Sequence, residues 1–206
     1  MSEASVRVIP TDDLVINENS PRAPLWWGMV WLIIIEAMVF LGLIVSYFYL
    51  RYYAPTWPLG DIEPPELTLP TISALTLWIS SAPMCRADSS IRKGDVKKLK
   101  IGLAISFALG LIFLILKYIE YSGLDYNWAT NAYGSIVWAI TGFHSAHVLA
   151  VLLETVVVFA AASRGYFSAH RNLGVRINGL YWHFVVAIWV PLYVTLYLSH
   201  LVLQPR

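Results

Sequence analysis

Cysteine is almost absent from this chain, and its scarcity excludes several kinds of site. Cys85 is the single cysteine among 206 residues. One thiol can form neither an internal disulfide nor a metal cluster that needs several cysteine ligands. Charged residues are also scarce, at 13% against about 25% in a typical soluble domain. The net charge is only +1, and no basic stripe carries interleaved aromatic residues, so we expect no nucleic-acid partner.

The chain contains several long apolar runs with few charged residues. Hydrophobic residues make up 58% of the chain, and runs near or above about 20 residues predict helices that cross a membrane. We therefore predict an all-α, polytopic membrane protein, a five-transmembrane-helix bundle in residues 25–206. The predicted spans are about 26–52, 67–85, 99–121, 133–163 and 177–203. The second span is the weakest because it is short and contains Pro70 and Pro83, and Pro191 is expected to kink the fifth.

The distribution of basic residues predicts the orientation. Residues 1–24 are polar and acidic, unlike a signal peptide, and we interpret them as a cytoplasmic N-terminal tail. With five spans, 11 of the 14 basic residues lie on the side of that tail. They are Arg7, Arg22, Arg86, Arg92, Lys93, Lys97, Lys98, Lys100, Arg164, Arg171 and Arg176. The positive-inside rule then places the N-terminus in the cytoplasm and the C-terminus outside. We expect a bacterial cytoplasmic membrane, with the mitochondrial inner membrane as the alternative.

Four ionisable side chains lie deep inside the apolar runs, where they are costly and seldom accidental. Glu36 is in the first span, and His144, His147 and Glu154 are in the fourth. The spacings of three and seven residues place the fourth-span groups on one helix face. Glu36 and the two histidines lie at similar depths, so we expect Glu36 to bond to a group on the fourth span.

Four further polar residues lie nearer the ends of the third and fifth spans. Lys117 and Glu120 are three residues apart on the third span, where they could pair or Lys117 could extend to the lipid headgroups. His183 lies near the inner end of the fifth span, and His200 lies near its outer end. Three interpretations compete for all these groups: a haem or metal site, a proton or ion path through Glu36, and a purely structural network between helices.

Several strings of residues, read in order, resemble one known family. They are Gly28-Met29-Val30 with Glu36, Phe40 and Phe48-Tyr49-Leu50; Ala54-Pro55-Thr56; Lys93-Gly94-Asp95; Ile119-Glu120-Tyr121; Tyr133-Gly134-Ser135; Thr141-Gly142-Phe143-His144-Ser145-Ala146-His147-Val148; and Tyr181-Trp182-His183-Phe184-Val185 with Trp189. Each string alone is weak, but together they cover residues 25–203 and every predicted span. The chain resembles the shorter, five-helix version of cytochrome c oxidase subunit III.

That resemblance implies an accessory role. It implies a non-catalytic, cofactor-free subunit of a proton-pumping haem–copper oxygen reductase, packed beside catalytic subunit I and with subunit II. Haem and copper are then expected in the partner subunits, while this chain binds structural phospholipid and supports proton uptake. The resemblance lowers the weight of the haem interpretation. It makes the ionisable groups an intramembrane polar and lipid-associated network, with Glu36, Glu120, His144, His147, Glu154 and His183 as its residues.

The chain also departs from the family pattern. Val186 stands where the family usually has aspartate, Arg176 replaces a usual glutamate, and Asn172 replaces a histidine. Lys117 replaces a common glutamine and Glu154 is additional. The inner end of the last span has thus lost acidic character. A subunit III-like component of a quinol oxidase or nitric oxide reductase therefore stays open, as does an independent proton-coupled transporter, although five spans do not divide into two repeats.

Overall fold

Helices are the only regular secondary structure in the described part of the chain. A computed structural model describes residues 24–203, so the predicted tail, 1–24, lies outside the described residues except for Pro24. The elements are α1 (Pro24–Tyr53), α2 (Thr68–Ile79), α3 (Ser81–Arg92), α4 (Val96–Ser122), α5 (Ala132–Ser163), α6 (Leu173–Tyr193), a π turn (Val194–Leu198) and α7 (Ser199–Val202). The prediction of an all-α fold is confirmed.

Among residues 24–203, four helical segments are long and apolar enough to cross a membrane, namely α1, α4, α5 and the continuous segment Leu173–Val202. The second predicted span, 67–85, is different. It consists of two helices of 12 residues each, α2 and α3, which meet at Ser80. Pro83 has no backbone N–H to donate to the carbonyl four residues earlier, which interrupts the helix at this point. α3 also continues to Arg92, so residues predicted to form a loop are helical.

On the basic side, α3 and α5 are each followed by a turn that contains a glycine. The turn after α3 contains Gly94, whose φ of +77° suits glycine, and the N–H groups of Gly94 and Asp95 bond back to the last turn of the helix. Asp95 then begins α4 by accepting a hydrogen bond from the Lys98 N–H at 3.0 Å. α5 is followed by the same kind of turn at Gly165, which has a φ of +76°. The backbone groups at these helix ends are therefore bonded by residues that are their neighbours in sequence.

The helices pack side by side with alternating directions. Contacts between α1 and the last segment follow the same order along both helices, from Glu36 with Tyr181 to Tyr47 with Ser199. These two helices are therefore parallel. α2 and α3 run the opposite way, because Thr71 bonds Tyr193 at 2.6 Å whereas Ser81, further along the chain, bonds His183 at 2.9 Å.

The last segment forms the centre of the bundle and α1 its edge. In the most apolar stretch of each helix, 50% of the residues are buried in Leu173–Val202 but only 6% in α1. The buried rings of Trp182 and Trp189 lie along this central segment. Its α-helical bonding changes to the π turn shortly after Pro191, as expected where a missing N–H disturbs the ladder.

Candidate functional site

Glu36 bridges the peripheral helix to the rest of the bundle. Its Oε1 accepts a hydrogen bond from the Tyr181 hydroxyl of α6 at 3.2 Å and lies 3.5 Å from Nε2 of His147 on α5. The side chains of Glu36 and His147 are 17% and 11% exposed. The other carboxyl oxygen, Oε2, is buried and has no hydrogen-bond partner among residues 24–203. One carboxyl group therefore connects three helices inside the apolar layer.

The tautomer of His147 determines how its ring interacts with the Glu36 carboxyl group. Its Nδ1 lies 2.7 Å from the Phe143 carbonyl oxygen, and since a carbonyl only accepts, Nδ1 carries the hydrogen. Nε2 of the neutral ring is then an acceptor that faces the Glu36 oxygen. The two groups attract each other only when a proton lies on either the carboxyl or the ring.

His144 points away from Glu36. It is fully buried, and its Nε2 donates to the Val185 carbonyl of α6 at 3.0 Å. Its ring lies over Trp189 with 4.4 Å between centroids, and Nδ1 has no partner within the described residues. Phe40 of α1 lies between the two histidines, 6.2 Å from His144 and 5.1 Å from His147. The predicted single stripe is therefore divided into one histidine facing α6 and one facing α1.

A buried ion pair lies on α4. Lys117 Nζ donates to Glu120 at 2.8 Å and to the Tyr197 hydroxyl in the π turn at 2.7 Å. The Tyr197 hydroxyl in turn donates to the second Glu120 oxygen. The Lys117 ammonium also lies 4.7 Å from the centroid of the Trp189 ring, which attracts cations. Of the two behaviours that the sequence allowed, Lys117 pairs with Glu120 and is only 1% exposed.

The two remaining predicted residues lie nearer the basic end. His183 Nδ1 is 2.9 Å from the Ser81 hydroxyl and its Nε2 is 3.4 Å from the Cys85 sulfur, so it joins α6 to α3. Glu154 is half-buried beside Asn178, and the Asn178 amide bonds Thr155 at 3.0 Å. The six predicted residues thus lie in separate clusters, each of which joins two or three helices.

Sequence reasoning missed several partners in these clusters. Tyr181, Tyr197 and Asn178 each bond a group on another helix. Asn178 carries a signal, since an amide inside an apolar run needs a partner. The two tyrosines carry none, because a tyrosine in a membrane helix is equally typical of packing or of the interface. Within residues 24–203, no group of three or more His, Cys, Asp and Glu side chains is arranged to hold a metal ion.

The chain matches one protein family over most of its length. The family model described as cytochrome c oxidase subunit III matches residues 17–200. The chain belongs to the cytochrome c oxidase subunit III family. The resemblance inferred from the motifs is therefore confirmed, and the family places the helical bundle in a membrane.

Individual subunit III sequences show the same similarity. The chain is 34% identical over 173 residues to cytochrome c oxidase subunit 3 of Synechocystis, covering 84% of this chain and 74% of that relative. It is 35% identical over 172 residues to the protein of the same name from Thermostichus vulcanus, covering 83% and 85%. It is also 32% identical over 178 residues to that of Bos taurus, covering 83% and 68%.

Proposed function

We propose that this protein is the accessory, cofactor-free subunit III of a proton-pumping respiratory haem–copper oxygen reductase of the cytochrome c oxidase type. The observation that carries the proposal is the family match over residues 17–200. Membership of this family makes the chain part of an oxidase complex. In that complex we place it against catalytic subunit I, with subunit II also present, and we place the haem and copper in those partners.

The proposed role of the polar clusters is to hold the helices together where water is absent. Glu36 and His147 join α1 to α5, and Lys117 and Glu120 join α4 to Tyr197 of the last segment. A polar group in a lipid environment is stable only when it has such a partner. We propose that the clusters keep the bundle in the shape that subunit I and structural phospholipid recognise, and so support proton uptake and sustained turnover.

We further propose that the chain crosses the membrane five times, with α2 and α3 together making the second crossing. Residues 68–92, at about 1.5 Å per residue, cover roughly 37 Å, enough for the hydrocarbon core. The antiparallel contacts of Thr71 and Ser81 with the last segment support this path. The basic residues then lie on the cytoplasmic side of a bacterial membrane, with the N-terminus inside and the C-terminus outside.

Replacing Glu36 tests the accessory role. In the purified oxidase complex, Glu36→Ala should leave the haem absorption spectrum unchanged. The same change should weaken retention of this subunit or shorten sustained turnover, because α1 loses its bonds to Tyr181 and His147. Glu36→Gln is the matched control, since the amide keeps the shape and one acceptor oxygen. Loss of the haem spectrum after the single change to alanine would show that the chain takes part in cofactor binding.

Two replaced residues keep another type of complex as the alternative. Val186 is buried where the family usually has aspartate, and Arg176, over the Trp26 ring at 5.2 Å, stands where a glutamate is usual. This loss of acidic groups suits a subunit III-like component of a quinol oxidase or nitric oxide reductase. The catalytic subunit that co-purifies with the chain decides between these partners, because its cofactors and electron donor define the reaction.

A further inference from the structure

A groove at the basic end of the molecule has no part in the function proposed above. It lies where the first turns of α1 approach α3 and α6, and we call it the α1–α3–α6 groove. Its volume is about 260 Å³, several times the roughly 30 Å³ of one water molecule. The lining residues that matter here are Trp26, Cys85, Arg92, Arg176, Gly179 and Leu180.

We propose that the α1–α3–α6 groove binds residues 12–18 of this chain, which read Asp-Asp-Leu-Val-Ile-Asn-Glu and lie outside the described residues. We call them the acidic segment. Its binding would hold the start of α1, the edge helix, against α3 and α6. The proposal depends neither on the proposed function nor on the number of membrane crossings, because groove and segment belong to one chain.

The surface around the groove carries far more positive than negative charge. The stretches 86–100 and 164–176 contain nine Lys and Arg residues but only two carboxylates. Each of these carboxylates is already paired with a cation three or four residues away. The acidic segment brings three further carboxylates and no basic residue. Its charge therefore complements that of the surface beside the groove.

The centre of the acidic segment is apolar and suits the interior of the groove. Trp26 and Leu180 are only half-buried there. A Cβ at Gly179 would meet no heavy atom of the described residues within 4 Å, so this wall has room for additional side chains. Residues 14–16 are leucine, valine and isoleucine, with carboxylates on both sides of them. Aliphatic side chains can thus enter the groove while the carboxylates stay at its rim.

The cations that line the groove lie on facing helices. Arg92 is exposed at the end of α3. The Arg176 guanidinium of α6 lies over the Trp26 ring of α1, 5.2 Å from its centroid. One cation on each side of an apolar groove matches a segment that carries acidic residues at both ends.

The acidic segment is close enough to reach this groove. Trp26, which lines the groove, is two residues beyond Pro24, where α1 begins. Glu18 is six residues before Pro24, and an extended chain of that length spans about 20 Å. A segment tethered to its site has an effective concentration in the millimolar range. Weak ion pairs and a small apolar contact are therefore sufficient for binding, and a separate molecule must compete with the tethered segment.

Cys85 provides a reporter for the bound segment. It lines the groove and is exposed, and it is the only cysteine of the chain. The purified oxidase complex with Val15→Cys is oxidised with diamide, and the disulfide to Cys85 is followed by peptide mass spectrometry. Adding D12N/D13N/E18Q should slow its formation about tenfold, from the usual contribution of three exposed ion pairs. This neutral segment has the same length and cysteine, so random collision is unchanged.

Paired variants separate the groove from general surface charge. In the same cysteine background, R92Q/R176Q removes both cations that line the groove and should slow the disulfide several-fold. K97Q/K100Q removes the same charge outside the groove and should slow it little. Gly179→Leu, which fills the groove but keeps every charge, should also slow it several-fold, and it covers the case in which R92Q/R176Q does not fold.

Several results would overturn the proposal. They are equal rates for the native and the neutral segment, equal effects of the two double variants, or a Cys85 that forms no disulfide because lipid or a partner subunit covers it. Co-purification with the oxidase subunits is checked in each preparation. Its loss from the native chain would contradict the proposed function, whereas intact co-purification without a charge-dependent disulfide would contradict the binding of the acidic segment alone.

Discussion

At the scale of single residues, the buried ion pair on α4 carries the largest energetic consequence. The Lys117 and Glu120 side chains are 1% and 12% exposed, so both charges have left water. Such a pair is tolerated because Tyr197 bonds both partners and the Trp189 ring lies beside the ammonium. Removal of one charge leaves the other buried and unpaired, which is the most destabilising change available at this site.

Lys117→Met should therefore destabilise the bundle by about 3–5 kcal/mol, measured as the free energy of unfolding in an SDS titration followed by tryptophan fluorescence. Adding Glu120→Gln should recover much of that loss, because no charge is then left alone. Lys97→Met, at an exposed lysine of the same helix, is the control and should have little effect. Equal effects of Lys117→Met and Lys97→Met would contradict the structural role of the pair.

Asp95, in the turn before α4, gives a pH-dependent contribution. The Lys98 backbone N–H, followed by the Lys98 ammonium, holds the pKa of the Asp95 carboxyl below its ordinary value of 3.8. Because the pKa is lower in the folded protein, this bond stabilises the fold above pH 3.8 and is lost as the pH falls through the folded-state pKa. Asp95→Asn keeps a capping oxygen without the charge, so the stability difference from the native protein should shrink on acidification. A difference that does not change with pH would contradict the argument.

At the scale of helices, the contact between α3 and α4 depends on one glycine. A Cβ at position 102 would lie 2.7 Å from the Pro83 carbonyl oxygen and 2.8 Å from the Ala87 Cβ. Both atoms are attached rigidly to α3, so neither can move without the helix. Because α3 and α4 are so close here, the Ser106 hydroxyl donates to the Ser80 carbonyl at 3.0 Å. This bond satisfies a backbone group at the junction of α2 and α3. Small residues have this role in membrane helices because they let backbones approach.

Gly102→Ala should therefore push α3 from α4 and destabilise the bundle by about 1–3 kcal/mol, the usual result of overpacking. Gly142→Ala is a matched control, because a Cβ there meets no heavy atom within 4 Å. Alanine favours a helix over glycine by up to about 1 kcal/mol, so the control should be neutral or slightly stabilising. Thermal unfolding of both variants in one detergent is the measurement, and equal melting temperatures would contradict the close contact.

At the scale of the whole molecule, the number of membrane crossings determines on which side each loop lies. In the part of the chain that the structure describes, four segments are long and apolar enough by themselves, and α2 with α3 is the proposed further crossing. The central position of Leu173–Val202 and the edge position of α1 do not depend on the number of crossings. The sides on which the loops lie do depend on it, because one additional crossing reverses the side of the α1–α2 loop relative to the α3–α4 turn.

Cysteine labelling from each side of the membrane tests the count. In a Cys85→Ser background, Lys97→Cys and Arg164→Cys should react with a membrane-impermeant maleimide from one side. Glu63→Cys and Trp128→Cys should react from the other side, and all four positions are exposed. If α2 and α3 do not cross, Glu63→Cys and Lys97→Cys will instead be labelled from the same side.

Part of this molecule could be predicted from its sequence. Long apolar runs require internally bonded backbone in a membrane, so helices followed directly, and the ordered motifs identified the family. The cost of burying ionisable groups singles out Glu36 and His144 from the sequence alone. The break at Ser80 was not predicted, because Pro70 and Pro83 can each be tolerated in a membrane helix and only the packing of neighbouring helices shows which one interrupts it.

The sequence by itself determined the fold class, the family and the residues that needed buried partners, since burial cost and helical length are properties of the chain alone. The tertiary structure decided which partners those residues found. His144 and His147 are three residues apart, yet one bonds Val185 and the other faces Glu36. Three residues turn a helix by about 300°, leaving the side chains roughly 60° apart. How each helix is rotated against its neighbours then selects the contact, and that rotation is set by packing across the whole bundle.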